Sequence, residues 1–231
     1  MHEPPRWAMR LPAVALSATA MLYMALCFAS YAAGARLLPA TLAPNPYRAP
    51  ASIRAQLLAM QAPTARALPR LNPLTWLPHA LWEMSGDRHP GDASRLLTST
   101  ARVVASRDRD MPHGLDRHLA EIALAIRIGR NWTLDDAANT LLAESWFRRD
   151  VIGIESAARS MFGVPANALR PQESLALIAL MQAPSWYAPD CHRDRFDQRY
   201  AHLARMLGHT GPDWTSAAAL TRFRPRAWDR R

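Results

Sequence analysis

Between Arg10 and Arg36 the chain runs through 25 residues without a charge, Leu11 to Ala35, rich in alanine, leucine and methionine. As a helix rising about 1.5 Å per residue, the stretch is roughly 37 Å long, enough to cross the hydrocarbon core of a bilayer with some tilt. Two readings fit it. One is an uncleaved membrane anchor, favoured because the run exceeds an ordinary signal core. The other is a secretory signal cut at one of two small-residue sites, Ser30-Tyr31-Ala32 or Ala33-Gly34-Ala35. Arg6 and Arg10 precede the stretch and Arg36, Arg48 and Arg54 follow it, so flanking charge does not decide its orientation. In either case the rest of the chain works beside a membrane.

Composition narrows what that remainder can be. Of 231 residues 49% are hydrophobic, which suits one compact domain and excludes a disordered chain. All 28 basic residues are arginine, against 19 acidic ones, for a formal charge of +9 at pH 7. With no lysine, Schiff-base chemistry and a P-loop lysine are excluded. Cys27 and Cys191 are too few for a disulfide framework or a cysteine-rich zinc site. Phosphate-cradling glycine motifs are absent, which removes the main support for a nucleotide-binding α/β fold. The positive charge suits anionic lipid head groups and lipid phosphates. Nucleic acid would suit it too, but the arginines are scattered and no module interleaves them with aromatics, so no nucleic-acid partner is expected.

Periodicity makes the body mainly α. Leu37 to Pro50, with four prolines, reads as an extended linker, and Pro63 to Pro78 as loop and short helix. Leu119, Ile122, Ala123 and Ile126 mark one stripe of a helix from Leu115 that stops at Gly129. Thr133 with Asp136 caps a helix to about Ser145. Ile154 to Met161 is a short helix. Pro171-Gln172-Glu173 opens another, whose run Leu175 to Met181 is apolar all round and therefore buried. Phe196, Tyr200, Leu203 and Leu207 mark a last amphipathic helix. No strand or hairpin signal stands out, and Trp186 and Tyr187 are expected to pack.

Gly153-Ile154-Glu155-Ser156-Ala157-Ala158-Arg159-Ser160-Met161-Phe162-Gly163 resembles the G-I-E-A-A-A-x-x-Y-F-G segment of the family 51 glycosyltransferases, the peptidoglycan polymerases found alone or in penicillin-binding proteins. Leu169, Glu173, Leu177 and Ala179 follow that family's L-x-x-x-E-A-A-L-L-A helix. Gln182-Ala183-Pro184-Ser185-Trp186-Tyr187-Ala188-Pro189 resembles its Q-A-P-S-x-Y-x-P. Upstream and ungapped, Arg117-His118-Leu119-Ala120-Glu121 falls on R-K-x-x-E. Ser94 to Arg102 resembles G-G-S-T-I-T-Q-Q-L-A-K, with Thr98 and Ser99 at the paired glutamines and Arg102 at the lysine. The resemblance implies a lysozyme-like, mainly α glycosyltransferase domain over residues 52–208. Around it are expected a cytoplasmic N-terminus 1–10, a single inner-membrane helix 11–35, a linker 36–51 and a basic tail 209–231, with the domain in the periplasm. The substrate it implies is lipid II, an undecaprenyl pyrophosphate-linked disaccharide, and other cell-wall synthesis proteins are possible partners.

Polymerisation in this family joins a sugar 4-hydroxyl to the anomeric carbon of another chain, expelling undecaprenyl pyrophosphate. It needs a carboxylate base toward the hydroxyl and cationic groups, or a divalent cation such as Mg or Mn, at the pyrophosphate. The family's base opens E-D-x-x-F-x-x-H-x-G-x-D. Here the register sets Gln61 at the base, Ala62 at the next acid, Ala65 at the aromatic, Leu68 at the histidine, Arg70 at the glycine, and Asn72-Pro73 at the end. Every functional position is changed, and an amide cannot take a proton near neutral pH. The resemblance makes Glu121 the second catalytic acid, and gives substrate binding to Arg102, Arg109 and Arg117, with Ser94, Thr98 and Ser99. Arg107 is a further candidate for the pyrophosphate. Two functions follow: a lipid II or glycan-binding pseudoenzyme, or an active polymerase using another acid, for which Glu83 in its apolar setting is the candidate. Glycan cleavage by one acid in a lysozyme-like cleft is a third. Glu155 and Glu173 fit helix capping as readily as a site, His113 and His118 read as surface residues, and Cys191-His192 lacks further ligands for a metal.

Overall fold

The computed structural model describes residues 6–84, 93–107, 113–148, 150–211, 214, 220 and 222–223, and side chains within these except 6–13 and 80–84. Its helices are α1 (Arg6–Arg36), α2 (Ala51–Gln61), α3 (Pro73–Met84), α4 (Ser94–Ala105), α5 (Leu115–Asn131), α6 (Leu134–Glu144), α7 (Ile154–Phe162), α8 (Pro171–Met181) and α9 (Arg193–Met206). The expected mainly α fold is what the chain adopts.

α8 is the hub, packed by α2, α7 and α9. Leu175, Ala176, Leu177 and Ala179 have no accessible surface, as an all-round apolar helix requires. It starts on Pro171, whose missing N–H costs nothing at a helix start. Glu173 accepts the Arg170 N–H at 2.8 Å, closing the cap from inside the helix. The α6 cap is reciprocal: Asp136 N donates to Thr133 Oγ1 and Thr133 N to Asp136 Oδ2, both at 3.1 Å. Asn72 caps α3 by accepting from Leu74 N at 2.9 Å and Thr75 N at 3.0 Å, with Pro73 first in the helix.

Several local expectations need correction. A two-stranded antiparallel hairpin, β1 (Trp146–Arg148) with β2 (Val151–Ile152), sits between α6 and α7. Its strands are too short for any alternation to show in sequence. Gly129 does not stop α5, which runs to Asn131. A Cβ there would collide with the Pro69 carbonyl oxygen, so this glycine serves close packing instead. Pro78 lies inside α3. The segment 37–50 is extended but strapped to the domain. Trp132 Nε1 donates to Leu42 O at 3.2 Å, Arg127 to Pro39 O at 2.8 Å, and Asn139 Oδ1 accepts from Ala49 N at 3.0 Å. Trp186 does not pack: 54% of its surface is exposed, whereas Tyr187 leans on the core.

Beyond α9, Leu220 is buried and Phe223 stacks on Phe196 at a centroid distance of 5.6 Å and lies tilted against Phe162 at 5.1 Å. Arg222 Nε donates to Glu173 Oε1 at 2.7 Å. Glu173 is 2% exposed. Burial pushes its pKa up, but the Arg222 and Arg170 hydrogen bonds and charges together hold it below the usual carboxylate range.

At the other end α1 lies along α5 and α3. Tyr23 donates to Leu74 O at 2.6 Å, Cys27 is buried, and Tyr31 joins the core. Gly34 completes this stripe, since a Cβ there would collide with the Leu119 carbonyl oxygen.

Candidate functional site

A cavity of about 340 Å³ opens where the ends of α2, α6 and α8 meet α4 and α9. Helical spacing builds its first wall. Arg95, Thr98, Ser99 and Arg102 stand at i, i+3, i+4 and i+7 on α4, and all four line the cavity. The opposite face of α4 carries Leu96, Leu97, Ala101 and Val104 into the core, which fixes the polar face outward. Gln61, the last residue of α2, faces this wall. Its Oε1 is buried and has no hydrogen-bond partner among the described residues. The structure thus gathers Gln61, Thr98, Ser99 and Arg102 around one space, although Thr98 follows Gln61 by 37 positions in the chain.

α9 supplies a wall that the sequence reading missed. Arg199 and His202 line the cavity, beside an apolar floor of Leu141, Ile178 and Leu203. Arg199 donates to Gln182 Oε1, and its guanidinium carbon is 5.9 Å from the Tyr187 ring centre. Its Nε is buried without a partner. Burial draws the Arg199 pKa down from its ordinary value, yet a guanidinium stays charged at neutral pH. A signal was available: 199 and 202 lie off the buried stripe of Phe196, Tyr200 and Leu203, so helical spacing alone could have grouped them.

Other expected site residues lie elsewhere. Glu121 does not line the cavity; Arg117 Nε donates to its Oε1 at 3.1 Å, and His118 Nδ1 is 3.8 Å from its Oε2. Arg117 also donates to Ser106 Oγ at 2.8 Å, linking α5 to the end of α4. Ser94 is buried with its hydroxyl 2.9 Å from His79 Nε2. Arg107 forms two 2.6 Å bonds to Glu144. Glu155 pairs with Arg159 and accepts the Ala166 N–H at 3.0 Å, an anchoring role. Arg109 lies outside the described residues, as does the side chain of Glu83.

This lining is chemically one-sided. Arg95, Arg102, Arg199 and His202 carry positive or titratable nitrogen, while among the described lining residues there is no carboxylate. Divalent cations of the Mg or Mn type are held by carboxylate and carbonyl oxygens, so the donor set does not fit one. It does fit an anion with several oxygens, since arginine forms paired hydrogen bonds to phosphate.

The sequence profile described as Transglycosylase matches residues 77–207. Curated relatives are penicillin-binding proteins. Penicillin-binding protein 1F of Bacillus subtilis (strain 168) is 28% identical over 95 residues, 41% of this chain and 13% of the relative. Penicillin-binding protein 1A of Aquifex aeolicus (strain VF5) is 32% identical over 102 residues, 43% of this chain and 14% of the relative. The matches thus cover less than a sixth of each relative's length. With the profile spanning more than half of the residues, and with the helical fold on which the cavity is built, the chain belongs to the transglycosylase family.

Proposed function

We propose that the chain is a membrane-anchored peptidoglycan glycosyltransferase-like head that binds the pyrophosphate and sugars of lipid II, and that it polymerises glycan poorly or not at all. The observation that carries this reading is the cavity itself: three arginines and a histidine face Gln61, with no carboxylate among the described lining residues. The arginines suit a pyrophosphate. Gln61 Oε1, without a partner among the described residues, can accept a hydrogen bond from a sugar hydroxyl and so position it. It cannot accept the proton when the new bond forms, because a carboxamide lacks the basicity. Loss of a general base costs about 10²–10⁴-fold in rate. Glu121, held by Arg117 and His118 away from the cavity lining, supports the same reading as an element that braces α5 against α4.

Anchoring rests on α1, whose span Val14–Arg36 is long and apolar enough to cross a bilayer by length and composition. Val14, Leu16, Met21, Leu22, Leu26 and Phe28 are exposed on it, as lipid-facing residues would be. This supports a single-pass membrane protein; placing the head on the periplasmic side of the inner membrane follows from the substrate proposed for it, not from α1. The test is paired: lipid II binding and lipid II polymerisation by the full chain in detergent micelles. Binding without glycan strands is expected. Robust strands, abolished by one acid replacement such as Glu83→Gln, would overturn the pseudoenzyme reading.

A further inference from the structure

Trp186 is braced from one side and left open on the other. Its backbone N–H donates to Ala183 O at 3.0 Å, the Arg195 guanidinium carbon lies 3.8 Å from its ring centre, and the His192 ring is 6.5 Å away, tilted. A stacked arginine and a bonded backbone brace the ring, yet over half of its surface faces solvent. Such a ring does not serve the core.

Its place relative to the cavity gives it a purpose. Arg195 stands one turn before Arg199 on α9, about 6 Å along the axis, and about 10 Å from His202. Both Arg199 and His202 line the cavity, and so does Gln182 at the other end of the short segment that carries Trp186. Arg195, Arg199 and His202 stand at i, i+4 and i+7 on α9, so the arginine stacked on Trp186 shares the helical face that walls the cavity, while Trp186 itself is not among the lining residues.

We propose that Trp186 and Arg195 form an outlying sugar-binding platform, so that the head engages a glycan strand of several repeats rather than a single lipid-linked disaccharide. This rests on the reading of the cavity given above. A pyranose has one flat, C–H-rich face and a rim of hydroxyls. A tryptophan ring with a donor on it matches the first, and the exposed Arg195 guanidinium over the ring supplies a partner for the second. A bilayer is a poorer match. Among the described residues of the loop 182–192, Trp186 is the one exposed large apolar side chain, and carboxylates of Asp190 and Asp194 stand near it in sequence. Membrane-seeking surfaces cluster several apolar side chains and exclude acids.

Titration calorimetry on the full chain in detergent micelles tests this with two probes, lipid-free glycan strands of several disaccharide repeats and lipid II. Trp186→Ala is expected to weaken strand affinity about tenfold, the loss of one stacked ring, and to leave lipid II affinity unchanged. Trp186→Phe is expected to retain most of the strand affinity, which excludes a fold defect, and thermal melting of both variants should match the unaltered protein because the side chain is exposed. Unchanged strand affinity in Trp186→Ala, equal loss for both probes, or loss only of binding to anionic vesicles overturns the platform. Strands that fail to bind while lipid II still binds also overturn it, and leave the cavity reading standing. Lipid II that fails to bind while strands bind through Trp186 does the reverse.

Discussion

Gln61 brings an acceptor oxygen into a space ringed by arginine, and its Oε1 has no partner among the described residues. Restoring a carboxylate there is the direct probe. Gln61→Glu is expected to yield little or no polymerisation in a lipid II assay, since Ala62 and Leu68 are buried apolar residues and Arg70 is exposed where supporting groups would stand. Arg102→Ala is expected to lower lipid II affinity about tenfold, with the loss shrinking as salt screens the attraction. Arg117→Ala should lower it less, because that guanidinium is already held by Glu121 and Ser106. Tyr200 offers a stability test in the opposite direction. Its hydroxyl is buried without a partner among the described residues, and burial pushes its pKa up to about 12. Removing an unsatisfied buried hydroxyl stabilises, so Tyr200→Phe is expected to raise the free energy of unfolding by about 1 kcal/mol in denaturant melts. A lower value would show that the hydroxyl has a partner in solution.

At the scale of elements, long periodic segments were legible and short or strained ones were not. α5, α6, α8 and α9 follow apolar stripes and caps that sequence alone displays, such as Thr133 with Asp136. Strands of three and two residues carry no period, and a buried glycine such as Gly129 looks identical to a terminating one until its neighbour is known. The site divides in the same way. Thr98, Ser99 and Arg102 were legible through the family motif they resemble, and the structure sets them on one helical face; Arg199 and His202 on α9 belong to no such motif and lie beside a buried stripe that dominates the pattern. The pairing of Glu121 with Arg117 is an i,i+4 contact that the sequence displays; that the pair lies off the cavity could not be read there, since it depends on how α5 meets α4. The contact between α1 and α5 is equally non-local, and Gly34 tests it. Gly34→Leu would force a side chain into the Leu119 carbonyl, and is expected to cost about 1–3 kcal/mol, read as a lower melting temperature in micelles. An unchanged melt would mean that α1 moves free of the head.

For the molecule as a whole, the two ends of the described chain are tied to the same body. Glu173, on the hub helix, is ionised in a buried place because Arg222 reaches back to it. Its folded pKa lies below the unfolded carboxylate value of about 4.3. The unfolded chain therefore binds the proton first, and the stability this pair contributes is complete above that pH and lost as pH falls through the folded value. Melting temperatures of the unaltered protein should thus drop more steeply below about pH 4 than those of Glu173→Gln; parallel profiles would remove Glu173 from the account. At the opposite end, the Tyr23, Cys27, Tyr31 and Gly34 stripe makes α1 a bracket rather than a leash. On the anchoring proposed above, a bracketed head does not tumble over its lipid surroundings: its cavity is held at one height and one heading. Search for a ligand whose tail shares the bilayer then becomes a problem in two dimensions with orientation settled in advance, and even modest intrinsic affinity yields high occupancy through local concentration.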